Sequence, residues 1–247
     1  MAMQSSIEMD LNEITVCILT KNSQRTIKRA IDSVKNRVGD ILIIDSYSTD
    51  RTLEIARPYR VIQMKGVFSE LRNAGISACK TNYIMMLDSD EWVDREFFEE
   101  LESAPPNKPV AVRRTWHYMG KELRFGRHSL QVRVFPVHSA HYKGQVHEEL
   151  YINGVIAQNN RLTILTNGKL HHEPWSSEAD IIAKRERYMR LEPRDAFSKR
   201  FKGILRRTKV YLFQGIPDGW IGFKLWSYDV SYQIYLIVRD LLPRTSS

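Results

Sequence analysis

Three acids crowd into four residues where an apolar run stops: Tyr83-Ile84-Met85-Met86-Leu87 leads directly into Asp88-Ser89-Asp90-Glu91. A buried strand that finishes in Asp-x-Asp sets two carboxylates at the carboxyl edge of a sheet, the edge where open α/β sheets bind ligands. Carboxylate oxygens suit Mg2+ and Mn2+, which often share them with the phosphate oxygens of a substrate. The triplet therefore points to a metal–diphosphate site. The competing use of the same residues is a turn or a helix cap.

The preceding residues supply elements able to position such a site. Ile14 to Thr20 is a short β-branched apolar run, the pattern of a buried strand, and it stops at Lys21-Asn22-Ser23. Ile27, Ala30, Ile31 and Val34 then recur at helical spacing, with Ser23 a plausible N-cap. A second strand, Ile41 to Ile44, ends at Asp45; Ser46 to Asp50 forms a polar turn, and Thr49 or Asp50 caps a helix through Leu53, Ile55 and Ala56. A weaker strand from Arg60 to Met64 and a helix near Phe68 to Ala78 precede the strand ending at Asp88. Short links joining alternating strands and helices predict an α/β, mostly parallel, doubly wound sheet with helices on both faces. Thr20 to Asn22, Asp45, and Asp88 to Asp90 then face one crevice.

Four blocks in this order, Ile18 to Asn22, Ile43 to Thr52, Arg72 to Ile76 and Leu87 to Glu91, resemble family 2 glycosyltransferases with the GT-A fold. Gly144 to Glu148, Leu170-His171 and Asp218 to Phe223 are similar to the branch typified by bacterial lipopolysaccharide core-biosynthesis glycosyltransferases. The resemblance covers roughly residues 12 to 242. It departs at Tyr47, where a small residue, often Gly, is usual, and at His172 to Trp175.

The resemblance implies an inverting, metal-dependent transfer of a sugar from a nucleoside diphosphate, UDP by default, to a glycan or lipid-linked acceptor. Asp90 is the implied direct ligand of Mn2+ or Mg2+, Asp88 orients the ribose or the metal's waters, and His171 best matches a third ligand. A carboxylate must take the acceptor's proton; Glu148 leads as that base, with Glu149 and Glu91 as alternatives, and Glu91 could instead orient the metal site. Thr20, Asn22 and Asp45 line the nucleotide, and Arg72 lies near its base or diphosphate, where a planar cation suits phosphate oxygens. Asp50 reads as structural.

Composition fits this reading. A chain of 247 residues can bury a substantial core. Its first eleven residues read as a disordered tail without the apolar core of a signal peptide; 12–104 form the nucleotide half, 105–175 acceptor-side strands of the same domain, and 176–247 basic and amphipathic helices. Val110 to Arg114, Leu130 to Phe135 and Glu149 to Ile156 look like strands extending the sheet, and Asn153-Gly154 signals a hairpin. Trp116, His117, Tyr118, Phe125 and Trp175 could stack on a sugar or serve as core aromatics. Cys17 and Cys79 lack metal-ligand spacing and read as reduced, which favours a cytosolic setting.

Between Ile181 and Val210 eleven Lys or Arg face three acids, an excess equal to the whole chain's +8. A Trp- and Tyr-rich segment, Trp220 to Leu242, follows; Lys224, Asp229 and Arg239 interrupt it too often for a membrane span. The pair suits peripheral contact with the inner face of the cytoplasmic membrane, or simply a helix with a solvated basic face. No nucleic-acid-binding motif accompanies the basic charge. No phosphate-cradling glycine loop follows the first strand, against a dinucleotide dehydrogenase, a P-loop enzyme or the alternative of a nucleotidyltransferase. No nucleophile elbow occurs either. A catalytically inactive glycan- or membrane-binding protein of the same fold is the remaining alternative.

Overall fold

A computed structural model describes residues 8–106, 108–124, 129–145, 148–159, 161–175, 177, 179–182, 186 and 195–242. The chain divides into two compact units, one of residues 1–114 with 128–172 and one of residues 115–127 with 173–247.

The first unit is built on a mixed sheet. β1 (Ile14–Thr20), α1 (Ile27–Val34), β2 (Asp40–Asp45), α2 (Thr52–Ala56), β3 (Arg60–Gln63), α3 (Phe68–Ala78) and β4 (Tyr83–Asp88) follow in the expected α/β order. β5 (Glu91–Val93), α4 (Arg95–Glu102), β6 (Val110–Tyr118), β7 (Lys121–Glu122) and β8 (Leu130–Pro136) come next. β9 (Ala140–Lys143), β10 (Glu149–Ile152), β11 (Val155–Ile156) and β12 (Thr163–His172) complete the strands. Hydrogen-bonded order across the sheet is β3-β2-β1-β4-β8-β6-β12-β5. β3, β2, β1 and β4 are parallel, whereas β8 joins β4 and β6 antiparallel, and β5 pairs antiparallel with β12.

Apolar side chains on both faces explain why the central strands read as continuous runs. Every residue of β1 is buried. One layer of the core gathers Ile14, Val16 and Ile18 with Ile27, Ile31 and Val34 of α1 and with Phe97, Phe98 and Leu101 of α4. The other gathers Cys17 and Leu19 with Leu71 of α3 and with Phe135, Tyr142 and Leu150. α3 approaches closely because Gly75 carries no Cβ; one built there would stand 2.4 Å from Cys17 Sγ.

Some expectations need correcting. Met9 and Leu11 are buried, so the expected tail is packed from there on; residues 1–7 lie outside the described residues. α1 is preceded by Thr26, not capped by the Ser23 side chain; Ser23 contributes its carbonyl, which accepts from Thr26 N and Ile27 N. β9, β10 and β11 do not extend the main sheet but form a separate three-stranded one. Its hairpin turns at Asn153 and Gly154, with φ of 52° and 77°, the left-handed pair a two-residue type I′ turn requires.

The second unit holds β7 against the end of β6, then α5 (Phe197–Val210), two short turns of helix, and α6 (Gly219–Leu241). Tyr118, Leu123, Ile181 and Leu225 form its core, with Trp116 and Trp175 packed against them 5.5 Å apart. Those two aromatics are core residues; Phe125 lies outside the described residues. Among the described residues no helix is long and apolar enough to cross a membrane.

Candidate functional site

Parallel register sets Thr20 of β1 opposite Asp45 of β2 and Leu19 opposite Asp88 of β4, so the strand ends form one row. The loops leaving them are laced together. Asn22 N donates to Ser48 Oγ (2.8 Å), Thr49 N donates to Asn22 Oδ1 (2.8 Å), and Ser23 N donates to Thr52 Oγ1 (2.7 Å). Ser23 and Ser89, the middle residue of the Asp-x-Asp triplet, share a hydroxyl hydrogen bond of 2.7 Å. Asp50 accepts from Gln24 N and Thr52 N, the structural role expected of it.

Asn22 and Tyr47 both sit in the left-handed region, at φ 49° and 55°. Asn tolerates that conformation; a tyrosine does so at a cost of about 1–2 kcal/mol. The glycine usual at position 47 in resembling sequences has its physical reason here. The Tyr47 ring is half exposed, with Lys65 Nζ 5.6 Å from its centroid.

Two buried guanidiniums organise the acids. Arg72 Nη2 donates to Asp88 Oδ1 (2.9 Å) and Arg72 Nε donates to Glu148 Oε1 (3.0 Å). Arg133 Nη2 donates to both oxygens of Glu91, at 2.6 and 2.7 Å, and lies 3.6 Å from Asp88 Oδ2. Glu91 Oε2 also accepts from Asp88 N (3.1 Å), and Arg114 Nη1 stands 3.8 Å from Glu91 Oε1. Burial works to raise the Asp88 pKa, but Arg72, Arg133 and His172 together hold its carboxyl well below the usual range. Burial pushes Glu91 up against the pull of Arg133, with Asp88 adding to the rise. Arg72 itself is raised despite its burial, through Asp88, Tyr142 and Glu148.

The histidine beside the triplet is His172, whose Nε2 lies 3.5 Å from Asp90 Oδ1. β12 pairs with β5 so that His172 faces Glu91 and His171 faces Trp92. Successive strand residues point to opposite faces, so His171 is carried away: it stacks on Trp92 (5.1 Å, 16°) and its Nε2 lies 3.6 Å from Asp94 Oδ2. Of the two adjacent histidines it is thus His172, not the expected His171, that stands beside Asp90. An oxygen of Asp90 and a ring nitrogen of His172 this close can both ligate one ion, and an imidazole in the donor set suits Mn2+ better than Mg2+. The residues present fit a divalent ion.

Other expected site residues stand differently. Asp88 is engaged by Arg72 and Arg133, which makes it an anchor for those cations more than a metal ligand. Arg72 is 5% exposed; its Nη2 and Nε bond Asp88 and Glu148, while its Nη1 is buried without a hydrogen-bond partner among the described residues. Asp45 has no exposed surface; its oxygens accept from Ser48 N, Ser48 Oγ and Gln63 Nε2, the turn-forming alternative. Glu91, also fully buried, holds Arg133 and offers no face to an acceptor. Thr20 ends β1 with its Oγ1 buried and without a hydrogen-bond partner among the described residues. Glu148 is brought to the site through Arg72, whereas Glu149 accepts from Tyr151 Oη on the small sheet. Val146 and His147 lie outside the described residues. Arg133 is a site residue with little sequence signal, a lone arginine in the apolar run Val132 to Phe135.

Residues 15–159 match the family model described as Glycosyl transferase family 2. An uncharacterized glycosyltransferase of Rickettsia bellii is 26% identical, over 87% of this chain and 83% of its own length. Glycosyltransferase SunS of Bacillus subtilis is 26% identical over 74% of this chain, which spans 47% of SunS. The crystal structure of S. aureus TarS aligns with 70% of this chain and 38% of its own, at 14% identity and a TM-score of 0.48.

Proposed function

We propose that this chain, which belongs to glycosyltransferase family 2, moves a sugar from a nucleoside-diphosphate sugar, UDP-linked by preference, to a glycan or lipid-linked acceptor with inversion at the anomeric carbon. The setting is cell-envelope or surface-polysaccharide synthesis on the cytoplasmic side, as the resemblance to the lipopolysaccharide core branch suggests. The observation carrying the reading is Arg72, whose one guanidinium bonds both the end of the Asp-x-Asp strand and Glu148. It thereby holds the donor-side acids and the expected base in one site.

Asp90 and His172 would hold Mn2+ or Mg2+. Bound there, a divalent ion supplies the Lewis acidity that makes a diphosphate a good leaving group. Glu148, partly exposed, takes the proton from the acceptor hydroxyl as that oxygen attacks the anomeric carbon and the bond to the diphosphate oxygen breaks. One direct displacement leaves no covalent intermediate on the protein. Asp88, Glu91, Arg72 and Arg133 form the buried charge lattice that fixes these groups, so Glu91 is a positioning residue. Thr20 and Asn22 line the donor side, and Asp45 holds the turn beside them.

The test is thermal melting with UDP, GDP, CDP and dTDP, each with and without Mn2+. A ligand present at about 100 times its Kd stabilises the folded state by about 2.7 kcal/mol. A Mn2+-dependent shift with UDP is expected, lost in Asp90→Ala and His172→Ala and kept in His171→Ala. Loss in His171→Ala with retention in His172→Ala would reverse the ligand assignment. No shift with any nucleotide would sink the donor reading.

A further inference from the structure

The C-terminal unit contains a helix that is turned inside out. Phe197, Phe201 and Leu205 recur at a spacing of four along α5, and Leu212, Ile216 and Trp220 follow on the turns after it and on the first turn of α6. Within α5 such spacing makes one stripe on the helical surface, ordinarily the stripe that faces the core. Here each of the six is between 46% and 71% exposed, and the neighbouring Phe213 is 74% exposed. The polar side packs inward instead. Arg200 is buried against Asp240 of α6 (3.2 Å), Arg207 lies 3.9 Å from Asp229, and Trp226 Nε1 donates to Thr208 Oγ1 (3.2 Å).

Three exposed cations, Lys202, Arg206 and Lys209, accompany the stripe, and none has a carboxylate partner among the described residues. Aromatic and aliphatic side chains accompanied by Lys and Arg on a helix too polar to cross a bilayer are the composition of an interfacial helix. A contiguous apolar face of this kind marks an interaction site. A second copy of the chain is the poorer occupant: a two-fold contact sets the same patch against itself, bringing the three cations on each copy together.

We propose that this face of α5, the following turns and the start of α6 docks on an anionic lipid bilayer, with Phe213 and Trp220 entering the headgroup boundary and Lys202, Arg206 and Lys209 meeting lipid phosphates. The experiment is flotation of the full chain with vesicles of phosphatidylcholine alone or mixed with phosphatidylglycerol, at low and high salt. Three proteins are compared: wild type, Lys202→Glu/Arg206→Glu/Lys209→Glu, and Phe213→Ser/Trp220→Ser. Wild type should float only with anionic vesicles and less so at high salt, where charges are screened. The charge-reversed variant should partition more weakly by at least about 100-fold, the loss of three cations alone, and the Phe213/Trp220 variant should lose most of its binding.

All altered residues are exposed, and circular dichroism with the nucleotide melting assay confirms that each variant is folded. Equal flotation with neutral and anionic vesicles, or undiminished binding by the charge-reversed variant, would overturn the proposal. So would absence of flotation together with a wild-type dimer that Phe213→Ser/Trp220→Ser converts to monomer in the ultracentrifuge. Flotation requires no turnover, so its failure leaves glycosyl transfer standing and failure of transfer leaves it standing.

Discussion

Replacing Arg133 with Met should destabilise the protein by about 3 kcal/mol, because it strips a fully buried carboxylate of its cation. Arg133 Nη2 reaches both oxygens of Glu91, and Glu91 has no exposed surface through which water could take over. Breaking a buried pair by removing one partner costs about 3–5 kcal/mol. Arg114 Nη1 at 3.8 Å remains as a second cation and argues for the lower end. For a chain of this size that is a fall in Tm of about 6–12 °C.

The loss should depend on pH. Glu91 is already raised by burial, and without Arg133 it rises further. A carboxyl whose folded pKa exceeds its unfolded value of about 4.3 stabilises the fold fully below that value and ceases to do so as pH climbs through the folded pKa. The deficit should therefore shrink as pH falls toward the unfolded value of about 4.3 and grow as pH climbs through the raised folded value. Asp88 works the other way: its depressed pKa stabilises the wild type above about 3.9 and is lost only as pH falls through the folded value. Glu91→Gln/Arg133→Met removes both charges and should recover most of the loss. Urea denaturation followed by circular dichroism at several pH values measures all of this. A deficit under about 1 kcal/mol, a deficit independent of pH, or no recovery in the double variant would refute the reasoning.

Glu148→Gln should lower kcat by about 10²–10⁴-fold while donor affinity holds, since the amide oxygen still accepts from Arg72 Nε; kcat within tenfold of wild type would move the base elsewhere. Tyr47→Gly should raise stability by about 0.5–1 kcal/mol, the left-handed strain released less the entropy glycine adds to the unfolded chain; a fall in denaturation midpoint would show that the exposed ring stabilises more than its conformation costs. Gly75→Ala should destabilise by about 1–3 kcal/mol because the added methyl meets Cys17 Sγ, and Cys17→Ala in the same protein should relieve it; additive losses would show that the Cys17 sulfur is not the obstacle.

Legibility followed burial. β1, β2 and β4 are covered on both faces, so Ile14 to Thr20, Ile41 to Asp45 and Ile84 to Leu87 stand out as apolar runs, and parallel pairing then puts Asp45 and Asp88 at one edge. The pairing of β12 with β5 could not be read. Three residues of β5 carry no pattern, yet their register decides which of two adjacent histidines meets Asp90. Arg133 was hidden for a related reason: a buried cation is intelligible only with its acid, and Glu91 is 42 residues away. The stripe from Phe197 to Trp220 looks in sequence like any inward-facing helix. Only the packing of Arg200 and Thr208 toward α6 shows that it points out.

Arg72 gives two carboxylates a common mechanical fate. On the proposed assignment Asp88 serves the donor and Glu148 the acceptor, and a single rigid plane of nitrogens bonds both. A donor that draws Asp88 toward itself tilts that plane, and Glu148 must follow. Linkage of this kind is reciprocal in free energy: to the extent that the donor sets the base, the base also sets the donor's affinity. On the proposed assignment, a shift of Asp88 on donor binding would reach Glu148 through that one side chain.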